Sequence, residues 1–414
     1  MAELRPFKAL RPNTELCGKV AALPYDVYSR EEAAEFVKTR PYSFLNIDRA
    51  ETQFDPSEDM YGEKIYEKAR DMISEWTEKG IFIREETPCY YLYALTMQGR
   101  TQTGLVACSS VDDYVNNVIL KHENTRADKE LDRIHHVDTT SAQTGPIFLA
   151  YRDREDLAAI LKKEQEKAPL YDFDEESGNH HRVWKIDEAE TVEKITELFK
   201  SVPNTYIADG HHRAASAVKV ALKRRAEHPD YTGEEEFNFF LSVLFPATEL
   251  KIFDYNRVVR DLNNLTTESF FGLISAKFDV TEAVTAPYRP EKKGTFGMYL
   301  EDKWYCLTAK PEIVPENDPV GALDVSVLQN NLLAPILGIG DPKTDKRIDF
   351  IGGIRGLKEL ERRVHKDMKI AFSMYPTSME ELFAVADAGL LMPPKSTWFE
   401  PKLLSGIFIH EIER

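Results

Sequence analysis

The sequence predicts a mixed α/β protein of two lobes, and three observations point there. Strand-like and helix-like segments alternate along most of the chain. Its 414 residues exceed what one core of about 100–200 residues accommodates. No fixed-period repeat or low-complexity tract suggests a solenoid or a long linker. Hydrophobic residues, at 42%, supply ample material for packed interiors, which argues against disorder.

The elements follow in chain order. Ser29-Arg30-Glu31-Glu32 is a capping-box sequence, in which hydroxyl and carboxylate each satisfy an orphan N–H, and it opens a helix running toward Lys38. Residues 44–47 read as a short strand. Ser57 starts a longer helix, with Ile65, Ala69, Met72, Ile73 and Trp76 at helical spacing and a stop at Gly80. Residues 90–95 and 103–108 flank Gln98-Gly99-Arg100 as a hairpin. Strand-like stretches at 118–120 and 206–208 precede polar clusters, residues 213–226 form a helix, and the aromatic run 237–245 is a central strand. Further on, 251–259 is a strand and 268–276 a helix, while 296–300 pairs with 304–307. Helices then cover 325–336, 357–366 and 379–387. Asp324 caps the first of these, and Ser378-Met379-Glu380-Glu381 gives the last a second capping box. The lobes divide near residues 246–260, giving 1–250 and 251–414.

Charge and segment composition narrow the function. Seventy acidic residues against fifty-three basic ones leave a net charge of -17, which repels a nucleic-acid backbone and favours small-molecule partners. No apolar run approaches the ~18–20 residues that span a bilayer. The first six residues lack the apolar core of a secretory signal. No nucleic-acid or membrane partner is therefore expected, and the expected compartment is the cytoplasm. Cys17, Cys89, Cys108 and Cys306 form no CxxC pair and read as core residues.

The segment Ala208-Asp209-Gly210-His211-His212-Arg213 concentrates the chemistry. A strand ends at Ala208 and a helix begins near Gly210, where glycine permits a tight turn and close approach of a ligand. The first helical N–H groups lack internal partners and carry the positive end of the helix dipole. An anion there gains those donors, Arg213 adds a forked contact, and His211 and His212 add hydrogen bonds. Asp209 serves as base or magnesium ligand. The simpler alternative makes Asp209 an N-cap and Arg213 a surface residue.

Other polar clusters surround it in sequence. His122-Glu123-Asn124-Thr125-Arg126 follows the strand at 118–120, a favoured place for chemistry in α/β folds. Lys129 and Asp132 read as a solvated helix face, and Arg133 either joins them or reaches phosphate. His135-His136 and His180-His181 read as surface pairs. Asp26, in Pro24-Tyr25-Asp26-Val27, binds a substrate ammonium or a metal, or else orients its turn. Pro393-Pro394-Lys395-Ser396-Thr397, with Lys402 beyond, is a stiff loop whose cation and hydroxyls suit a phosphate-rich ligand, or is a plain surface loop. Arg257 lies on a strand-like segment that can face the cleft.

The Asp209–Arg213 segment resembles the motif of the free-serine kinases that share the ParB/sulfiredoxin fold, where the glycine-to-arginine turn binds phosphate. Sulfiredoxin-like members carry a cysteine where His211 stands, which argues against thiol-based chemistry here. The whole chain resembles the bacterial family catalogued as domain of unknown function 1015, through the Pro24–Val27, His122–Thr125, Asp209–Arg213 and Pro393–Thr397 segments. These resemblances imply a ParB/sulfiredoxin-like catalytic lobe in 1–250, with an insertion at 151–195, and a C-terminal α+β lobe in 251–414 that contributes a phosphate-binding loop. Glu123 matches the catalytic glutamate upstream of the motif. The implied activity is phosphorylation of free L-serine to O-phosphoserine, with Mg²⁺ and ATP, ADP or pyrophosphate as donor. The implied ligand set is Asp26, His122, Thr125, Arg133, Gly210, His211, His212, Arg213, Lys395, Ser396, Thr397 and Lys402. Two alternatives are a ParB-like nucleotide-binding regulator without turnover and a phosphatase or nuclease using the same cradle. Oligomeric state is not legible.

Overall fold

In the computed structural model, which describes residues 1–125 and 127–413, the chain divides into residues 1–250 with 401–414 and residues 251–400. The first unit is built on a nine-stranded sheet. Its strands are β1 (Leu4–Arg5), β2 (Tyr90–Met97), β3 (Arg100–Ser110), β4 (Ile119–Leu120), β5 (Ile147–Tyr151), β6 (Tyr171–Asp174), β7 (His180–Ile186), β8 (Thr205–Asp209) and β9 (Phe239–Pro246). They lie in the order β4-β8-β5-β9-β3-β2-β7-β6, with β1 on β3. The β4–β8 and β9–β5 pairs are parallel. Gln98 and Gly99 take φ of 50° and 79°, the left-handed pair that a two-residue hairpin between β2 and β3 requires. β9 is buried along its length up to Pro246, as an apolar run covered on both faces should be.

Five helices of this unit matter for the site: α1 (Arg30–Val37), α2 (Leu45–Asp48), α3 (Glu63–Glu78), α4 (Ala127–Thr140) and α5 (His211–Glu227). Both halves of the Ser29 capping box are formed. Leu45, Ile47, Ile65, Ile73 and Trp76 share one apolar cluster, and Leu149, Ile207, Ala214 and Leu244 share another.

Several expectations are corrected. Residues 44–47 are not a strand. Asp48 N and Arg49 N donate to the Phe44 and Leu45 carbonyls, so α2 is a helical turn. A four-residue apolar run carries too little periodicity to separate the two. The helix expected from Ser57 begins at Glu63, because Asp55 Oδ1 accepts both the Ser57 N–H and its hydroxyl, holding the chain in a turn. Residues 401–414 belong to the first unit rather than to the C-terminal lobe. They return by strand pairing of His410–Glu411 with Ala142–Gln143 and by bridges of Ile409 to Leu10 and Ser405 to Ala22. His136 and His181 are buried rather than superficial. His136 faces the Ile47 carbonyl, and His181 bonds Tyr93 Oη at 2.8 Å with its ring stacked on Phe173. Asp132 is mostly buried and accepts from Tyr66 Oη.

The second unit is a six-stranded antiparallel sheet with flanking helices. Glu301 and Asp302, both at positive φ, turn the hairpin between Thr295–Leu300 and Lys303–Ala309. Helix α6 (Met379–Asp387) begins with the Ser378 capping box. Asp324 is the first helical residue rather than a cap, and its carboxylate accepts the Gly294 N–H instead. Arg257 is buried within this unit, with Nη2 donating to the Lys395 carbonyl at 3.0 Å.

Candidate functional site

The parallel register of β4 and β8 pairs Ile119 with Thr205 and Leu120 with Tyr206. Both strands therefore run out at the same end of the sheet, one into residues 121–125 and the other into Gly210. Side by side, these ends lie where α/β sheets commonly bind ligands. A register shift between Ile207 and Asp209 places Asp209 opposite Phe148, at the start of β5.

Gly210 is the N-cap of α5, with φ 90° and no side-chain capping bond. Two constraints demand glycine there. A Cβ would lie 3.1 Å from Arg213 Nε, and the left-handed backbone penalises every other residue. Asp209 is therefore not the cap. Its Oδ2 lies 3.5 Å from Arg213 Nη2 and 3.5 Å from Lys402 Nζ. Burial would raise its pKa, but Lys402 and Arg213 outweigh that and hold it at about 2. It is a carboxylate at any physiological pH.

His211 and His122 meet edge to face, with ring centroids 4.7 Å apart. Both are buried. Burial pushes His122 down to about 4, with the Ile207 carbonyl partly opposing the shift. Burial and then His122 hold His211 well below the ordinary histidine range. Both rings are therefore neutral near pH 7. His211 Nε2 is buried with no hydrogen-bond partner among the described residues. His212 is half-buried on the first turn of α5.

The other expected residues divide into those the structure gathers here and those it does not. Arg213 is gathered, yet it is partly committed. Nη1 donates to the Pro146 carbonyl at 2.5 Å, and the side chain packs beside Gly145. Lys402 arrives through the returning C-terminal segment. Glu123 is exposed on the loop after β4, and Arg126 of the same cluster lies outside the described residues. Thr125 is tied to α4, its hydroxyl donating to Glu130, which Lys219 also meets. Arg133 is buried on α4, 3.9 Å over the Tyr25 ring and paired with Asp132. It lines a cavity together with Arg213. Asp26 is exposed on the turn Tyr25–Val27. Lys395, Ser396 and Thr397 belong to the second unit. There Ser396 is buried and donates its hydroxyl to the Pro393 carbonyl at 2.7 Å, so that hydroxyl serves its own loop.

Sequence reasoning missed Asp48, His136, Glu130 and Lys219. No spacing marks them, since they are gathered by helix packing alone. A magnesium ion fits poorly beside Asp209, because two cations already neutralise that carboxylate. Among the described residues no group of three His, Cys, Asp or Glu side chains could hold a metal. No helix of the described residues is long and apolar enough to cross a membrane.

Fold and site together define an α+β protein with an uncapped helix N-terminus ringed by one carboxylate and two cations. The chain belongs to the family described as "Protein of unknown function (DUF1015)", whose model matches residues 4–326. No curated protein matches the sequence. Among solved structures it is similar to a variant free serine kinase in complex with ADP, at 16% identity and TM-score 0.34, covering 72% of this chain and 88% of that one. It is also similar to a conserved hypothetical protein from Pyrococcus furiosus, at 16% identity and TM-score 0.33, covering 73% and 94%. A third is C-terminally truncated SbnI from Staphylococcus aureus, at 11% identity and TM-score 0.35, covering 72% and 85%.

Proposed function

We propose that this chain is a small-molecule kinase that phosphorylates the hydroxyl of free L-serine, giving O-phosphoserine. The observation that supports this reading most is the start of α5, where helical N–H groups have no side-chain cap and Arg213 and Lys402 flank the ionised Asp209. Such an N-terminus stabilises an anion through oriented donors and the helix dipole.

In this reading the backbone N–H groups of residues 210–213 cradle the transferred phosphoryl group. Arg213 and Lys402 neutralise the charge spread over its oxygens, and catalysis rests on positioning and electrostatics. His211, being uncharged, offers Nε2 as a hydrogen-bonding group without repelling Lys402. Asp209 orients the acceptor hydroxyl. Glu123 accepts the hydroxyl proton as the new O–P bond forms and the donor's O–P bond breaks, leaving ADP, AMP or phosphate according to whether the donor is ATP, ADP or pyrophosphate.

The test is direct: incubate the protein with L-serine and each donor and follow O-phosphoserine by mass spectrometry. Product with any donor supports the reading. Absence of product with all three, or phosphate release without phosphoserine, overturns it.

A further inference from the structure

A cavity in the first unit joins Arg213 to buried charges that the phosphoryl-transfer reading leaves unused. Asp48, Arg133, His136, Thr144 and Arg213 share its wall. Asp48, Arg133 and His136 also line a cleft whose rim includes the exposed Asp26.

The charges in this wall are not in direct contact with one another. Asp48, only 4% exposed, accepts one hydrogen bond, from Thr144 Oγ1 at 2.7 Å. Its nearest nitrogen partner is His136 Nε2 at 3.9 Å. Burial and then Arg133 push that imidazole down to about 4, so it is uncharged near pH 7. Among the described residues no lysine or arginine touches Asp48, although its charge and that of Arg133 act on one another across the cavity. Arg133 belongs to a different pair: its Nε and Nη2 lie 3.0 and 2.9 Å from Asp132 Oδ2. Its Nη1 has no partner among the described residues, and Tyr25 covers the face of the guanidinium. A buried carboxylate with no cation in contact is costly to keep charged, a cost that a cationic ligand relieves. The cavity thus presents a carboxylate with no cation in contact and, across from it, a guanidinium with a donor to spare, which are the complements of the two ends of a zwitterion.

We propose that this cavity binds an α-amino acid, with its ammonium group on Asp48 and its carboxylate on Arg133. Its side chain extends toward Arg213. Only that last direction rests on the phosphoryl-transfer reading; recognition of the two charged ends does not.

The test needs no variant to begin. Binding of a panel of α-amino acids, L-serine among them, is measured on the full chain by calorimetry and thermal shift. L-Serine methyl ester, which lacks the carboxylate, and glycerate, which lacks the ammonium group, are run beside them. L-Serine should bind at least about tenfold more tightly than either one-ended analogue. Asp48→Asn keeps the shape and the acceptor for Thr144, and should erase the preference for serine over glycerate. Equal affinity for serine and glycerate, no binding by any amino acid of the panel, or an Asp48→Asn protein that keeps its preference would each overturn the proposal. If serine binds as expected but no phosphoserine forms with any donor, the kinase reading fails and this one stands.

Discussion

Helix α6 of the second unit and helix α5 of the first begin in opposite ways. At α6 the Ser378 hydroxyl accepts the Glu381 N–H at 3.1 Å, and the Glu381 carboxylate accepts the Ser378 N–H at 2.9 Å. At α5 the N-cap is a left-handed glycine that offers no side chain at all. One helix satisfies its orphan donors from its own sequence. The other leaves them unspent, and two cations stand where an anion would arrive. Buried ionisable groups differ in the same sense. The first unit holds His122, His136 and His211 neutral by burial. The second holds Asp324, which burial pushes up to about 7 although the Gly294 N–H supports its charged form.

The sharpest way to break this contrast is Glu123→Gln. If the α5 end is catalytic, turnover should fall by about 100- to 10,000-fold, the range for loss of a general base. Thermal shift by donor and serine should persist. A fully active variant moves the site elsewhere.

Acid should separate the two units next. For His122 the folded pKa, about 4, lies below the unfolded value near 6.5, so its contribution is present above pH 6.5 and is lost as pH falls through 4. That loss is on the order of 3 kcal/mol by pH 4 for His122 alone. Asp324 runs the other way. Its folded pKa of about 7 exceeds the unfolded 3.8, so its contribution is present below pH 3.8 and is lost as pH rises through 7. Segment-resolved hydrogen exchange, corrected for intrinsic rate, should show residues 205–227 loosening between pH 6.5 and 4 while residues 294–328 tighten. Parallel behaviour of both segments would contradict the burial argument.

A smaller effect is expected from Arg213→Ala, which should weaken pyrophosphate binding by ~1.5–3 kcal/mol for one charge-assisted bond, read by calorimetry. The smallest comes from Ser378→Ala. It should cost about 1 kcal/mol of stability in denaturant unfolding and leave pyrophosphate affinity unchanged. A change in that affinity would mean the capped helix also serves the ligand.

What was legible in the sequence depended on how local its cause was. Both capping boxes and the Gln98-Gly99 hairpin could be read because the side chains that fix them lie within a few residues of the backbone they bind. Gly210 was legible for the same reason. Residues 44–47 were not, since a short buried apolar run serves strand and helix alike. Lys402 was singled out as a phosphate ligand but placed with the wrong lobe, because its return beside Asp209 depends on pairing residues 410–411 with 142–143. The contact of His122 with His211 depends on the parallel register of two strands more than eighty residues apart in sequence. No local pattern announces it. Asp48 and Arg133 reach one cavity wall through the approach of α4 to α2 in the same way.

The return of residues 401–414 to the first unit has a consequence for how the protein is made. Asp209 leaves the ribosome early, but Lys402 follows only after the whole of residues 251–400 has been synthesised. Until then Asp209 has Arg213 beside it but not Lys402, and the edge at Ala142–Gln143 lacks its partner strand. The inserted unit can mature as an uninterrupted stretch while the enclosing one waits for residues 401–414. Assembly of the charged site is thereby deferred until residues 251–400 have been made, so a chain released before then would carry the glycine turn without Lys402.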